Sequence, residues 1–517
     1  MGGTFVYNSL TPTIYSSWSD PYGDLQQAIN DAQSGDDIWV AEGTYKPTQH
    51  IPDHLTYGYM YTLDDRYKTF YINKNIRIYG GFVGNEYGYQ QRGIIAKSTL
   101  SGDIDNNGVL DNGNVYNIVT IHNATGVVLD GFEITGGNAN GGYWYYETYI
   151  NIINPNYKDH WERGCFAGAG IYITRSSVDL YNLDIHHNFS IHGGGIYIDA
   201  ARYLMNGITY MEMSCGNVYL TDVKISNNEY ETIGGGIFAN NMNILELINV
   251  AITQNTPTDS YSWGGGMYLG EYVKCTLINV TIASNIASVI FNGKNQGGQA
   301  IRTDLPIPLV IKNSIIHHDR NSSYETISSY SPPILTQTNS LIKYVNASGS
   351  NLGGTTSPGF WDPTNGDYTL DPDWSDCVGA GNNSDNPRRY DLKGDLRRVG
   401  TNIDLGAYES GNTTKSFSER NIISYESEIL SELSMNVFPN PISNNQQLKL
   451  FLGENNFYYE DPVQVRLYSL DGKLLYNKQY SNGDITMDLP QIPSGIYIIK
   501  AQTQEGNAFN KKLVVTR

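Results

Sequence analysis

GGGIYIDA, residues 193–200, decides the fold because the chain keeps returning to it: GAGIYITR begins at 168, GGGIFANN at 234 and GGGMYLGE at 264. Downstream of each triplet a second segment recurs, as LYNLDIHHN from 180, LTDVKISNN from 220, LINVAITQN from 247, LINVTIASN from 277 and IKNSIIHHD from 311. Successive triplets lie 25, 41 and 30 residues apart. The period is irregular while the two segments inside each unit keep their form, which marks a solenoid with one coil per unit and insertions looping out between fixed strands.

Period-2 alternation sorts the aligned positions into inside and outside. Ile185, Ile225, Ile252, Ile282 and Ile316 form one apolar column, and Leu180, Leu220, Leu247, Leu277 and Ile311 another. Both point inward. Between them Asn182, Asp222, Asn249, Asn279 and Asn313 sit at a bend, where a short polar side chain tolerates left-handed backbone and hydrogen-bonds locally or along the stack. Asn188, Asn228, Asn255, Asn285 and Asp319 close the segment. Identical residues stacked about 4.8 Å apart build a parallel β-helix. Leu25, Ala28, Ile29 and Ala32 share one helical face, so a short amphipathic helix near 24–33 caps the open end of the stack. The expected fold is all-β: a capped, right-handed parallel β-helix over 1–410, a linker at 411–433, and a separate antiparallel β-sandwich of Ig-like form at 434–517.

Composition agrees and removes several functions. The 517 residues exceed one ordinary domain, and charged residues make up only 16%. The formal net charge of −19 leaves no basic patch for nucleic acid. No apolar run reaches the roughly 18 residues that span a bilayer. The opening MGGTFVYNSL lacks a charged region followed by an apolar stretch, so export requires a leader that this sequence does not carry. Cys165, Cys215, Cys275 and Cys377 lack CxxC spacing; they pair in one of three ways or stay free.

Several stretches resemble the pectate-lyase-like right-handed β-helix proteins, and within them the secreted bacterial proteins with a choice-of-anchor Q region. These are GDDIWVAEGTY ending at Tyr45, IRIYGGFVGNE at 76–86, LDGFEITGGN at 129–138, the glycine repeats, and VGTNIDLGAYE at 399–409. The resemblance specifies a fold rather than a chemistry. MNVFPNPISN at 435–444, VRLYSLDGKLLYN at 465–477, LPQIPSGIYIIKAQT at 489–503 and the terminal KKLVVTR alternate apolar and polar residues around tight turns. In that order they resemble the type A C-terminal sorting domain of the type IX secretion system. The resemblance implies the type IX machinery as a partner, and secretion or display on the outer surface of a Gram-negative bacterium.

Catalytic groups on a β-helix must stand on neighbouring outward positions. The position before the Ile column runs Asp184, Lys224, Ala251, Thr281, Ile315, and the position after the Leu column runs Tyr181, Thr221, Ile248, Ile278, Lys312. Only Asp184 and Lys224, with His186 two residues along, combine acid and base. They read either as a lyase site, with the lysine abstracting a proton beside a uronate carboxylate, or as a cross-coil ion pair. His186 and His317 lie four rungs, about 19 Å, apart and share no metal; both read as surface residues. The best metal candidate is DIDNNGVLD, in which Asp103, Asp105, Asn107 and Asp111 have the spacing of a calcium loop without its twelfth-position glutamate.

The strongest surface signal is aromatic. Tyr172, Tyr197, Phe238 and Tyr268 follow the triplets on one outward column, and insertions carrying Trp144, Trp161 and Trp263 enter at the same corner. Sugar rings pack on aromatic planes, so the strip is expected to bind a polysaccharide or glycoconjugate unless the insertions fold over it. Sparse titratable groups favour a non-catalytic, glycan-binding or adhesive surface protein. The alternative is a polysaccharide lyase or glycoside hydrolase in the same groove.

Overall fold

The computed structural model describes residues 4–8, 18–51, 64–86, 92, 97–141, 165–200, 202–205, 208–211, 215–291, 294–295, 297–319, 324–345, 348–397 and 401–410. In the C-terminal unit it describes 435–438, 442–443, 447–452, 463–469, 473–480, 484–488, 492–503 and 508–516. The chain divides into two compact units, Met1–Glu86 with Arg92–Phe417, and Ser418–Arg517. Among the described residues no helix is long and apolar enough to cross a membrane.

The glycine triplets work as the repeat implies. Their first glycines, among them Gly193 (φ 65°) and Gly234 (φ 70°), take left-handed backbone at the corner. The other two permit close approach of the next coil: a Cβ on Gly194 would lie 2.5 Å from the carbonyl oxygen of Gly235, and one on Gly195 2.7 Å from that of Gly236. Three long sheets result. Sheet one has ten strands, from Thr4–Asn8 and Asp36–Ala41 to Ile334–Thr338; sheet two has eight, from Phe70–Ile72 to Ile327–Ser329; sheet three has nine, from Gly43–Tyr45 to Leu341–Ile342. Every neighbouring pair is parallel except Thr4–Asn8, which closes the first edge of sheet one antiparallel. Leu180, Leu220 and Leu247 stand in register on sheet one, and Ile185, Ile225, Ile252 and Ile282 on sheet three, all in one continuous core.

The two polar rows differ in what they do. Asn182, Asp222, Asn249, Asn279 and Asn313 all have φ between 47° and 58°, the strained backbone that short polar side chains tolerate. Asn188, Asn228, Asn255 and Asn285 are buried and make a continuous ladder, each Nδ2 donating to the Oδ1 of the next at 2.8–3.0 Å. Asp319 ends that row and is largely exposed.

The cap is the helix Leu25–Asp31, with Asp24 accepting from the Gln26 amide. Leu25, Ala28 and Ile29 cover the core. Buried Gln26 completes the closure, since its carboxamide donates to the Tyr71 carbonyl and accepts from the Tyr71 amide, as a neighbouring strand would.

Coiling stops sooner than expected. Leu341–Ile342 is the last strand of sheet three, and the chain to residue 410 then returns as a strap over that sheet rather than as further coils. It follows the bend row. The Ala380 carbonyl accepts from Asn339, Asn382 exchanges two hydrogen bonds with Asn313, Asn386 accepts from Asn279, Arg397 donates to Asn249 and Arg388 to Asp222.

In the C-terminal unit a three-stranded antiparallel sheet and a five-stranded sheet share one core, with Leu448, Leu450 and Ile485 from the first and Val465, Ile499 and Leu513 from the second. One pair departs from antiparallel order, Ile442–Ser443 running parallel to the last strand.

Candidate functional site

Asp184 and Lys224 stand in register on neighbouring coils, their charged groups 3.9 Å apart. The structure adds Glu133 one coil earlier, which accepts from Thr99 Oγ1 at 2.7 Å and pairs with His186 Nε2 at 3.0 Å. Burial raises the Glu133 carboxyl, but the Thr99 and His186 hydrogen bonds and the Lys97 charge outweigh it and leave the group below its ordinary value. That is the opposite of a proton donor. Lys224 lies beside the Asp184 carboxylate, both side chains partly exposed. Asp184 and Lys224 form a cross-coil pair, while His186 turns to Glu133.

Beyond Lys224 the same column is closed. Ala251, Thr281 and Ile315 point outward, as alternation requires, yet are buried beneath the strap. Ile315 and Leu341 pack with Leu370, Cys377 and Leu405, and the Ala407 amide donates to Thr281 Oγ1 at 2.9 Å. The LGAYE stretch at 405–409 is thereby a seat on sheet three. His317 is buried too, against the surface reading, with its Nε2 3.2 Å from Lys343 Nζ; burial, then the charges of Lys343 and His318, push its pKa down to about 3.

The aromatic column is a stack. Tyr172, Tyr197, Phe238 and Tyr268 lie nearly parallel, with centroids 5.2, 4.6 and 5.2 Å apart. They point away from the coil interior, but the expected exposure is corrected: Tyr172 and Tyr197 are 0% exposed and Phe238 5%. Cys165, Phe166, Ala167 and Ile191 join them in a second hydrophobic core, and His192 stacks on Phe238. The end of the insertion covers the strip because three apolar residues in a row, Cys165–Ala167, have that face within reach. Half-buried Trp263 meets Tyr261 edge-on. Trp144 and Trp161 lie outside the described residues.

The calcium pattern resolves into a self-satisfied turn. Asp103 accepts from the Asn107 and Gly108 amides, and Asn107 Nδ2 donates to both Asp105 (2.9 Å) and Asp111 (3.1 Å). Asn107 Oδ1 accepts from the Val109 amide, which fixes the carboxamide with its donors toward the carboxylates, where a cation would have to sit. The residues do not fit a bound ion, and among the described residues no group of three or more His, Cys, Asp or Glu is placed to hold one. All four cysteines are buried, and none is joined to another by a disulfide.

Among the described residues no segment covers the middle of the outer face of sheet one, read in the sequence only through Tyr181 and its column. The position one residue before the Leu column runs Val128, Asp179, Tyr219, Glu246, Thr276 in register. The same alternation that placed the leucines makes this column legible. Asp179, Tyr181, Tyr219, Ile244, Glu246 and Ile248 are half-buried, and among the described residues none joins a hydrophobic cluster with a covering segment. Asn217 Nδ2 donates to the Tyr219 hydroxyl at 3.1 Å and Asn243 to Asn217 at 3.0 Å, which holds the ring from its polar end. Burial pushes the Asp179 carboxyl up to about 6 and raises that of Glu246.

Residues 436–516 match the family described as the secretion system C-terminal sorting domain. No curated protein matches the chain. Among solved structures, the full-length tailspike protein 2 from Escherichia coli O157:H7 bacteriophage CAB120 is similar at 10% identity with a TM-score of 0.22; the match covers 95% of this chain and 65% of that one, so the chain spans less than two thirds of the tailspike's length. With its stacked parallel sheets and its C-terminal match, the chain is a parallel β-helix protein that ends in a type IX secretion sorting domain and is secreted or displayed at the cell surface.

Proposed function

We propose that this protein is exported by a Gram-negative bacterium to bind an extracellular polysaccharide along the outer face of sheet one. The observation that carries this reading is the column Asp179, Tyr219, Glu246 beside Tyr181, where one aromatic side chain stands between two carboxyl groups at rung spacing. A polymer laid along the stack meets a new rung about every 4.8 Å, and a sugar ring packs its C–H face on Tyr219 while its hydroxyls reach the acids. The polysaccharide partner is retained from the expectation above, and the surface moves from sheet two to sheet one.

The test is affinity electrophoresis in gels cast with neutral and uronate-containing polysaccharides. Wild-type protein is retarded by at least one of them. Tyr219→Ala loses about 1 kcal/mol, roughly a fivefold weaker interaction, with its melting temperature unchanged. Equal retardation of wild type and Tyr219→Ala by every polysaccharide that retards either would remove sheet one as the binding face.

A further inference from the structure

We propose that Asp179 and Glu246, on either side of Tyr219, are the acid and base of a site that hydrolyses glycosidic bonds with inversion of configuration. The inference rests on the sheet-one binding reading and adds chemistry to it. Register fixes the geometry: Asp179 pairs with Tyr219 and Tyr219 with Glu246, so the two acids occupy the same outward column two rungs apart. Two strand spacings separate their backbones by about 9.6 Å. Carboxyl pairs that flank a bond and leave room for a water on the far side stand about 6.5–9.5 Å apart, whereas a nucleophilic pair stands at about 5–5.5 Å. The two-rung spacing lies at the upper end of the first range and well outside the second.

Their lack of partners sets these acids apart from the others on the outward columns. Asp37 pairs with Arg77 on sheet one, and Asp130 with Arg92 and Asn182. Glu133 and Asp184 are paired on sheet three. Among the described residues neither Asp179 nor Glu246 has a hydrogen bond or ion pair, so both keep their oxygens for a ligand. Folding does not ask for charge here, because Val128, Thr276 and Val310 fill the same column. An unpaired, half-desolvated carboxylate costs free energy that threonine would not.

The roles follow from the environments. Burial carries Asp179 to about 6, so in mildly acidic medium it holds a proton to deliver to the departing glycosidic oxygen. Glu246 takes a proton from the attacking water. One C–O bond breaks at the anomeric carbon, one forms to the water oxygen on the opposite face, and the two carboxyls exchange protonation states, which solvent resets. Tyr219 packs the ring that reacts.

The experiment compares wild type, Asp179→Asn and Glu246→Gln against the polysaccharides that retard the wild type, following reducing ends and, by proton NMR, the anomer first released. Wild type releases ends of inverted configuration. Each variant loses about 1,000-fold in rate, far more than its retardation weakens, with its melting temperature unchanged, and Asp179→Asn loses the limb near pH 6 from whatever rate remains. Wild type that is retarded but releases no ends overturns hydrolysis and leaves the binding reading standing. Retained configuration, or a variant at wild-type rate, overturns the assignment of these residues. Failure of retardation on every polysaccharide overturns both readings together.

Discussion

Tyr197 shows how an outward residue becomes a core residue. Its ring lies between Tyr172 and Phe238, and its hydroxyl donates to Asp199 at 3.0 Å. Tyr197→Ala therefore opens a cavity in the middle of a stack and is expected to cost about 3–5 kcal/mol, the range for deleting a buried aromatic. Thermal unfolding checks this, and glycan retardation should be unaffected; Tyr219→Ala should show the reverse pattern, because that ring is only half-buried. A second outcome belongs to the Asp103–Asp111 turn. Asn107 already supplies donors to Asp105 and Asp111, so adding calcium or a chelator should leave the melting temperature unchanged. A rise of several degrees with calcium would refute the closed turn.

The strap is the element with the most at stake in its charges. Arg397 is 1% exposed, donates to Asn249 and to the Gly406 carbonyl, and lies 3.7 Å from Glu409. Arg397→Ala strips donors from these buried acceptors, at a cost of about 1–3 kcal/mol for each one left unsatisfied. Limited proteolysis reports it as faster cleavage within 380–409. The same contact depends on pH. Burial, opposed by Arg397, pushes Glu409 up to about 9 and Asp391 up to about 6. Both values lie above those of the released strap, so the docked strap binds more protons and its docking is strongest in acid. It weakens as pH climbs through about 6 and again through about 9. Cleavage at pH 10 should accordingly outpace cleavage at pH 5 once protease activity is normalised, and the opposite order would show that these carboxyls do not govern docking.

At the scale of the whole molecule, each of the two units keeps its own hydrophobic core, which makes their tasks separable. The β-helix closes its core with a helix at one end and its side with a strap, both from its own chain. Removing residues 434–517 is expected to leave it folded, with unchanged circular dichroism, and to hold it in the periplasm, since the matched sorting domain is gone. Fractionation of cells expressing both forms decides this, and surface display of the truncated chain would contradict it.

Periodicity places the coils, the inward Leu and Ile columns, the left-handed bend residues, the capping helix and the C-terminal unit, because each depends on neighbours a few residues away or one identical rung away. It also places Asp179, Tyr219 and Glu246 on an outward column, one residue before the leucines. Alternation says which way a side chain points from the backbone, not what lies over it. Whether Tyr172 or Ala251 meets water depends on Phe166, Ile191 or Leu405 arriving from elsewhere in the chain. The bend residues do bond along the stack, Asn182 to Asp130 and Asn249 to Asp222, and they are also the track for a strap more than 60 residues downstream. The Asp103–Asp111 spacing suits a cation and a turn equally, and the direction of one carboxamide decides between them. Burial and donor direction are set by segments remote in sequence, so the tertiary structure alone shows which columns of sheets two and three are covered and that no described segment lies over Asp179, Tyr219 and Glu246 on sheet one.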